Sequence, residues 1–176
     1  MATTYKIDPA HSSAQFTIRH MMITNVRGGF KKVQGTIVLD RENPAASSVE
    51  ATIDATTIST NDDQRDAHIR SADFLDVEKF PAITFRSSKV TAAGQEEWKV
   101  DGTLTIHGVA KPVTLDVEVP SAESKDPYGN LRVGASATTK IKRSDFGLNF
   151  NAVLETGGVV LGDELKIQLD ISAIRA

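Results

Sequence analysis

Apolar and polar residues alternate with a period of two along most of the chain, a pattern typical of strands with one buried face. In the first long run, Ala14, Phe16, Ile18 and His20 share one face, and the polar residues between them share the other. The same alternation returns in the ranges 35–39, 49–54, 98–106, 113–119, 133–141 and 165–171. This periodicity predicts about eight substantial strands, with no internal repeat.

Antiparallel strands with one apolar face bury that face by closing into a barrel or by stacking two sheets. A long strand that begins at Val26 is interrupted at Gly28 and Gly29, which suggests a bulge or a sharp bend. The bent strand and the near-continuous meander favour a barrel over a sandwich. We therefore predict an all-β fold for a single domain over residues 1–176. It is an extended eight-stranded antiparallel β-barrel with one short helical segment.

The range 61–81 is the longest stretch without two-residue alternation. Asn61 can cap a helix N-terminus, and Asp66 and Arg70 have the i,i+4 spacing of a helical ion pair. A helix this short is marginal alone, so Phe74 and its apolar neighbours must pack it against the barrel. We predict one or two helical turns that cover one end of the barrel as a lid or a plug.

The predicted inward face mixes small residues with large ones. Its small members are Ala14, Gly35, Ala51, Gly102, Ala135 and Ala137. A barrel of this size is filled only if its interior carries bulk, whereas small residues leave room for a ligand. The alternative is that large neighbours fill the gaps. The predicted lining of an apolar, elongated cavity comprises Phe16, Ile18, Ile37, Ile53, Leu104, Ala135 and Ala137, and we expect Trp98, Leu115 and Ile167 to face inward as well.

Composition excludes several classes of function. The net charge of −3 and the lack of a dense basic run argue against a nucleic-acid partner. No apolar run approaches the roughly 20 residues of a membrane-spanning helix. Zero cysteines exclude disulfides and thiolate chemistry. The first residues lack a charged and an apolar signal region, so we expect a cytoplasmic location, or a periplasmic one if a signal peptide was removed.

The histidines do not form a metal-binding pattern. His11, His20, His68 and His107 lack the spacing of a metal-ligand motif, and we predict no metal site. Asp66 and His68 diverge on a helix, so they do not form a catalytic pair there. His20 ends an apolar face. Its side chain is therefore a buried histidine with its hydrogen bonds made within the protein, a contact to the ligand or, in an enzyme, an acid or base.

Other catalytic motifs are missing from the sequence. It contains no G-x-S-x-G elbow and no phosphate-binding lysine loop, and the Gly157-Gly158 pair precedes a strand and therefore predicts a turn. We predict neither an enzyme nor a cofactor. Cations lie around the lid and the bent strand, where they can stabilise a polar head group such as a diphosphate. These cations are Arg19, Arg27, Lys31, Lys32, Arg65 and Arg70.

Six blocks of sequence together resemble the YceI-like family. They are DPAHSSAQFTIRHMMITNVRGGF, SSVEATIDATTIST, RDAHIRSADFLDVEKFP, LTIHGVAKPVTLDVEV, DFGLNF and LETGGVVLGDELKI, and they cover the chain from about Tyr5 to Arg175. The resemblance implies an extended eight-stranded barrel similar to lipocalins, with a helix beside it. It also implies binding of a polyisoprenoid or a similar amphiphile inside the barrel. Many members of the family carry a secretory signal peptide.

The resulting hypothesis is a non-catalytic carrier for a long-chain polyisoprenoid or a similar lipid. Besides the apolar lining, the predicted ligand-binding residues are His20, Arg27, Arg65, His68 and Phe74. One alternative is an enzyme that acts on an amphiphile, with His20 as acid or base. Another is a barrel that serves only as a protein-interaction module, and a homodimer is compatible with the sequence.

Overall fold

A computed structural model describes residues 1–151 and 161–176 of the chain. The predicted turn at Gly157-Gly158 lies outside the described residues. Within them the chain forms β1 (Thr3–Ile7), β2 (Ser13–His20), β3 (Thr24–Phe30), β4 (Val33–Leu39), β5 (Ser48–Asp54), β6 (Ala82–Ala92), β7 (Glu97–Ile106), β8 (Val109–Glu118), β9 (Ser124–Lys125), β10 (Leu131–Lys142) and β11 (Leu161–Arg175). The helical elements are α1 (Asp63–Arg70) and the 3-10 turns Pro9–His11, Pro44–Ala46, Ala55–Thr57 and Arg143–Phe146.

Eight of these strands close into an antiparallel barrel, which confirms the predicted fold. The strands follow one another around the barrel in the order β11, β1, β4, β5, β6, β7, β8 and β10, and pairing of β10 with β11 closes it. The two-residue β9 pairs with the first residues of β10 and is not part of the ring. Three clusters of buried apolar side chains occupy the inside of the wall, and the one around Trp98 and Val133 is distinct from the one around Phe146 and Leu75.

Strands β2 and β3 extend the wall beyond the closed ring. The long strand β11 pairs with β1 near Ala173 and with β2 from Leu161 to Asp170, so β1 and β2 share one edge of β11. The partner strands β3 and β4 are divided in the same way, at Lys32, whose φ is 57°. Together with the two-residue β9, these two divided pairs account for the difference between about eight predicted strands and the eleven strands of the described residues.

The predicted bend at Gly28 and Gly29 was wrong in position. Both glycines continue the pairing of β3 with β2, opposite Phe16 and Gln15, and the chain bends instead at Lys32. A Cβ atom on Gly28 would lie 2.6 Å from the Phe16 ring. Glycine is therefore needed here for the close approach of an aromatic side chain, and not for a change of direction.

The helix α1 begins one residue later than predicted. Its N-cap is Asp62, whose carboxylate accepts a 3.0 Å hydrogen bond from the backbone N–H of Arg65, whereas Asn61 adopts a left-handed φ of 63°. The predicted ion pair between Asp66 and Arg70 was also wrong. Asp66 accepts hydrogen bonds from the backbone N–H and the hydroxyl of Thr60, at 2.8 and 2.6 Å. A buried carboxylate thus ties the start of the helix to the preceding chain.

Candidate ligand-binding cavity

The barrel encloses a cavity of about 460 Å³ whose walls are overwhelmingly apolar. This volume lies in the range of small-molecule sites, which are typically about 300–1,000 Å³. The predicted lining residues all border it, namely Phe16, Ile18, Ile37, Ile53, Leu104, Ala135 and Ala137. Trp98, Leu115 and Ile167 border it as well. The alternative of a completely filled interior is therefore wrong.

The alternation of the strands creates this lining. On β10, Ala135 and Ala137 face the cavity. The next residue, Thr138, is exposed on the outer face. Ala137 pairs with Leu169 of β11 and Val117 of β8, which also line the cavity. A methyl group between two larger side chains leaves space that a third large side chain would fill.

Two of the small residues predicted to face the cavity, Gly35 and Gly102, do not line it. A Cβ atom on Gly102 would lie 2.5 Å from the ring of Phe85, and it is this ring that borders the cavity. A Cβ on Gly35 would collide with the backbone carbonyl of Glu50 on β5. Both glycines therefore allow close packing within the wall, and the space inside the barrel comes from the alanines.

Basic side chains gather at one end of the cavity. Arg65 and His68 reach it from α1, Arg143 from the 3-10 turn after β10, and His20 from the end of β2. No aspartate or glutamate is among the described residues that line the cavity. This end, which we call the mouth, therefore offers hydrogen-bond donors and positive charge to whatever the cavity holds.

Arg143 is the most buried of these cations, with only 5% of its surface exposed. Its Nη1 atom donates to the carbonyl oxygens of Leu148 and Phe150 at 2.7 and 3.0 Å, and its Nε atom donates to Gly162 at 3.0 Å. Burial lowers the pKa of the Arg143 guanidinium below its ordinary value, while the charge of Asp163 acts in the opposite direction. Among the described residues no carboxylate forms an ion pair with it.

Arg65 is held in place by the chain that precedes α1. Its Nε atom donates to the hydroxyl of Thr60 and its Nη2 atom donates to the Thr60 carbonyl, each at 2.7 Å. Because Thr60 also donates to the buried Asp66, the guanidinium belongs to a network that orients it toward the cavity. The position of Arg65 is therefore fixed before any ligand binds.

Three rings pack against one another at the mouth. The centroids of His68 and Phe74 are 5.0 Å apart, those of His68 and Phe150 are also 5.0 Å apart, and those of Phe74 and Phe150 are 5.1 Å apart. All three pairs are edge-on, the arrangement that aromatic quadrupoles favour. The segment after α1 thus contacts the segment after β10 directly across the mouth, as a lid or a plug requires.

Arg27 is the one predicted ligand-binding residue that does not line the cavity. Its neighbour Val26 faces the interior, so the alternation of β3 turns Arg27 to the outer surface. There it borders an open groove together with Lys140, Lys166 and polar side chains of β2 and β11. The prediction that Arg27 contacts the ligand inside the barrel therefore placed it on the wrong side of the wall.

Among the described residues, two histidines pair with carboxylates, and in both pairs the imidazole is exposed. His68 Nε2 lies 2.9 Å from Asp73, and His11 Nδ1 lies 2.7 Å from Asp8. In residues 1–151 and 161–176 no group of three or more His, Cys, Asp or Glu side chains is arranged to hold a metal ion. None of the helices described there is long and apolar enough to cross a membrane.

Sequence reasoning missed Arg143 and Phe150. A charged residue beside serine and aspartate in RSDF has the pattern of a solvated turn, and nothing local indicates that its guanidinium is buried. The run of apolar residues in FGLNF was the available signal, because an irregular segment with two phenylalanines has to cover something apolar. Gly147, at a φ of 73°, turns the chain so that the backbone of Leu148 returns to Arg143.

Comparison with known proteins agrees with this architecture. A family model described as a YceI-like domain matches residues 5–173. Protein YceI of Escherichia coli O6:H1 is 42% identical over 150 residues, which cover 84% of this chain and 78% of the relative.

Solved structures show the same fold. Burkholderia cenocepacia BcnA superimposes with a TM-score of 0.82 at 26% identity, covering 94% of this chain and 98% of that one. A domain from Saccharophagus degradans superimposes with a TM-score of 0.72 at 18% identity, covering 99% of both chains, and this likeness shows the fold alone.

Proposed function

Because this chain belongs to the YceI-like family, we propose that it is a non-catalytic carrier that removes a long apolar chain from water. The single observation that supports this function is the lining of the cavity, which is apolar along the barrel and basic at one end. Each methylene of a ligand that moves from water into such a cavity contributes roughly 0.8 kcal/mol. A hydrocarbon chain is therefore the ligand class that gains most from this interior.

The polar end of the cavity suggests the chemistry of the ligand's head. Arg65, His20 and His68 bring N–H donors to this end and Arg143 brings a buried positive charge, while no carboxylate lines the cavity among the described residues. A head group with acceptor oxygens therefore fits there. We propose a polyisoprenoid with a hydroxyl or a phosphate head as the ligand. The Saccharophagus degradans protein is described as a polyisoprenoid binding domain. Its low identity makes it a precedent for this fold and not for these residues.

Native mass spectrometry of the purified protein, before and after organic extraction, tests the proposal. We expect an added mass that extraction removes, and a lipid in the extract. Titration with polyprenols and polyprenyl phosphates of graded length then measures affinity, which should rise with each isoprene unit until the cavity is full. Affinity that does not depend on chain length would contradict a ligand site inside the barrel.

The enzyme alternative depends on His20. This imidazole is at the mouth, but no other described residue donates or accepts a hydrogen bond that would orient it. A general acid or base is normally held by such a partner. Release of an unchanged lipid after long incubation would support the carrier, and a chemically altered lipid would overturn it. The cytoplasmic location stays a prediction that cell fractionation would check.

A further inference from the structure

Three consecutive apolar residues stand in solvent at the turn between β2 and β3. Met21, Met22 and Ile23 are 43, 57 and 71% exposed. Elsewhere in the described part of the chain, the large apolar residues that are comparably exposed are Met1, Tyr128 and Phe150. We call Met21, Met22 and Ile23 the apolar tip. Scattered single apolar residues are ordinary on a surface, but a contiguous group at the end of a hairpin needs a reason.

The geometry of the turn does not supply that reason. Met21 and Met22 have left-handed φ values of 52° and 61°, and the Ile23 N–H donates to the His20 carbonyl at 3.2 Å. A turn whose two central residues both have positive φ favours Asn-Gly and similar pairs, because most side chains are disfavoured there. Two adjacent methionines therefore suit neither the backbone of this turn nor its exposure to water.

The apolar tip borders the mouth of the cavity. Its neighbour His20 lines the cavity and pairs with Leu161 of β11. Leu161 is joined by two hydrogen bonds, of 2.7 and 3.0 Å, to the side chain of Asn151. Asn151 follows Phe150, the exposed ring that packs on His68. His20, Leu161 and Asn151 thus link the tip to the ring at the entrance.

The hairpin that carries the tip is cationic, although the chain as a whole has a net charge of −3. No aspartate or glutamate occurs in residues 9–39, and Arg19 and Arg27 flank the tip on its two strands, both exposed. The acids nearest along β11 are Asp163, which accepts hydrogen bonds from Ser144, and Glu164. Exposed apolar side chains flanked by cations are the combination that anionic lipid surfaces bind.

We propose that the apolar tip inserts into the interface of an anionic lipid bilayer and places the mouth against it. An apolar chain would then move between bilayer and cavity without crossing water, and this consequence rests on the carrier function proposed above. A second copy of the chain is a poorer occupant of the tip. A two-fold contact between hairpins would bring Arg19 and Arg27 of one copy toward the same cations of the other.

The absence of cysteine from the chain allows a direct test. Met22→Cys labelled with an environment-sensitive fluorophore should brighten and shift to the blue with vesicles of phosphatidylglycerol and phosphatidylcholine. Tyr128→Cys with the same label is the matched control, because Tyr128 is 89% exposed but precedes β10 at its other end, where Arg132 pairs with Ile174. The Tyr128 label should not respond.

A second variant tests the effect on binding. Met21→Asn, Met22→Gly and Ile23→Thr together make a polar tip with a favourable turn, so the barrel should fold at least as well. We expect the partition of this variant onto the same vesicles to fall at least about tenfold. The unmodified protein should bind more weakly to vesicles of phosphatidylcholine alone, which carry no net charge. Equal binding by the variant would overturn the proposal. The proposal would also be overturned if the unmodified protein formed a dimer that the variant does not form, and if vesicles bound neither protein.

Ligand titration in solution separates this proposal from the carrier function. If the unmodified protein binds polyprenyl phosphate but never vesicles, the docking proposal fails and the carrier function stands. If it binds vesicles through the tip but takes up no apolar ligand, docking stands and the carrier function fails. The variant with the polar tip should retain the affinity of the cavity for ligand in solution.

Discussion

Arg143 holds Phe150 by a 3.0 Å hydrogen bond from its Nη1 atom to the backbone carbonyl, so a buried cation fixes an aromatic ring at the mouth. Arg143→Met keeps a flexible, unbranched side chain, although a shorter one, and removes its donors. We expect the free energy of unfolding to fall by about 1–3 kcal/mol, because backbone carbonyls lose their partners. If the guanidinium also contacts the head group, affinity for a polyprenyl phosphate should fall by roughly tenfold or more, and affinity for the uncharged polyprenol less.

Arg132→Met is the control for that substitution. Arg132 bonds to Asp8 and Asp126 near the other end of β11, so its loss should lower stability without changing the preference for a charged head. Equal losses of affinity for phosphate and alcohol in Arg143→Met would show that the residue supports the mouth and does not recognise the head group.

Ala137→Phe should fill the cavity. The added ring points into the space that the ligand would occupy, at a cost of about 1–3 kcal/mol if the surrounding side chains must move. Thr138→Phe adds the same ring at the next residue, on the outer face, and should leave binding unchanged. Titration of both variants with a polyprenol checks this, and unchanged affinity in a folded Ala137→Phe protein would contradict an interior site.

Phe74→Ala tests whether the segment after α1 governs access. The Phe74 ring is 9% exposed and packs on His68 and Phe150, so its removal should cost roughly 3–5 kcal/mol of local or global stability. We expect faster hydrogen exchange in residues 61–81 and faster release of ligand. Phe80→Ala is the control, because Phe80 packs on His107 at the β7–β8 turn and is not among the residues that line the cavity.

In that control, exchange in the segment should rise while the release rate stays constant. If Phe74→Ala raises exchange and leaves release unchanged, the segment is a structural plug and not a gate. The two rates would then have separate origins.

Stability should depend on Asp8 above a defined pH. Hydrogen bonds from Arg132 and then from His11 hold the pKa of the Asp8 carboxyl at about 2, below its ordinary value of 3.8. Because this pKa is depressed in the folded protein, the stabilisation is present above about pH 4 and is lost as the pH falls toward 2. The difference in unfolding free energy between the unmodified protein and Asp8→Asn should therefore shrink over this window. A difference that stays constant with pH would contradict it.

Strand alternation predicted the interior of the barrel well, because it is a local property of the sequence. Phe16 and Ile18 on β2, like Ala135 and Ala137 on β10, face the cavity as the period of two requires. The same rule, applied from Val26, places Arg27 on the outer face. The prediction that Arg27 contacts the ligand was wrong because it depended on nearness to the glycines and not on this alternation. The turn at His107-Gly108 was also predictable, since its positive φ values suit that pair.

The mouth was less predictable, because its contacts join distant parts of the chain. Asp66 bonds to Thr60 and not to Arg70, although the i,i+4 spacing favoured Arg70. The burial of Arg143 depends on carbonyl groups that the next segment supplies only after it has folded back. Such partners depend on tertiary packing, which a periodic pattern does not describe.

The three partners of β11 affect the order in which the protein can be made. Tyr5 pairs with Arg175 and Ala14 pairs with Leu169, so the first and last strands are neighbours in space. During synthesis, the edges of β1, β2 and β10 that pair with β11 stay open until β11 has emerged from the ribosome. Open edges of this kind recruit other chains, and distant pairings form slowly. A nascent chain is therefore most exposed to aggregation before β11 has emerged.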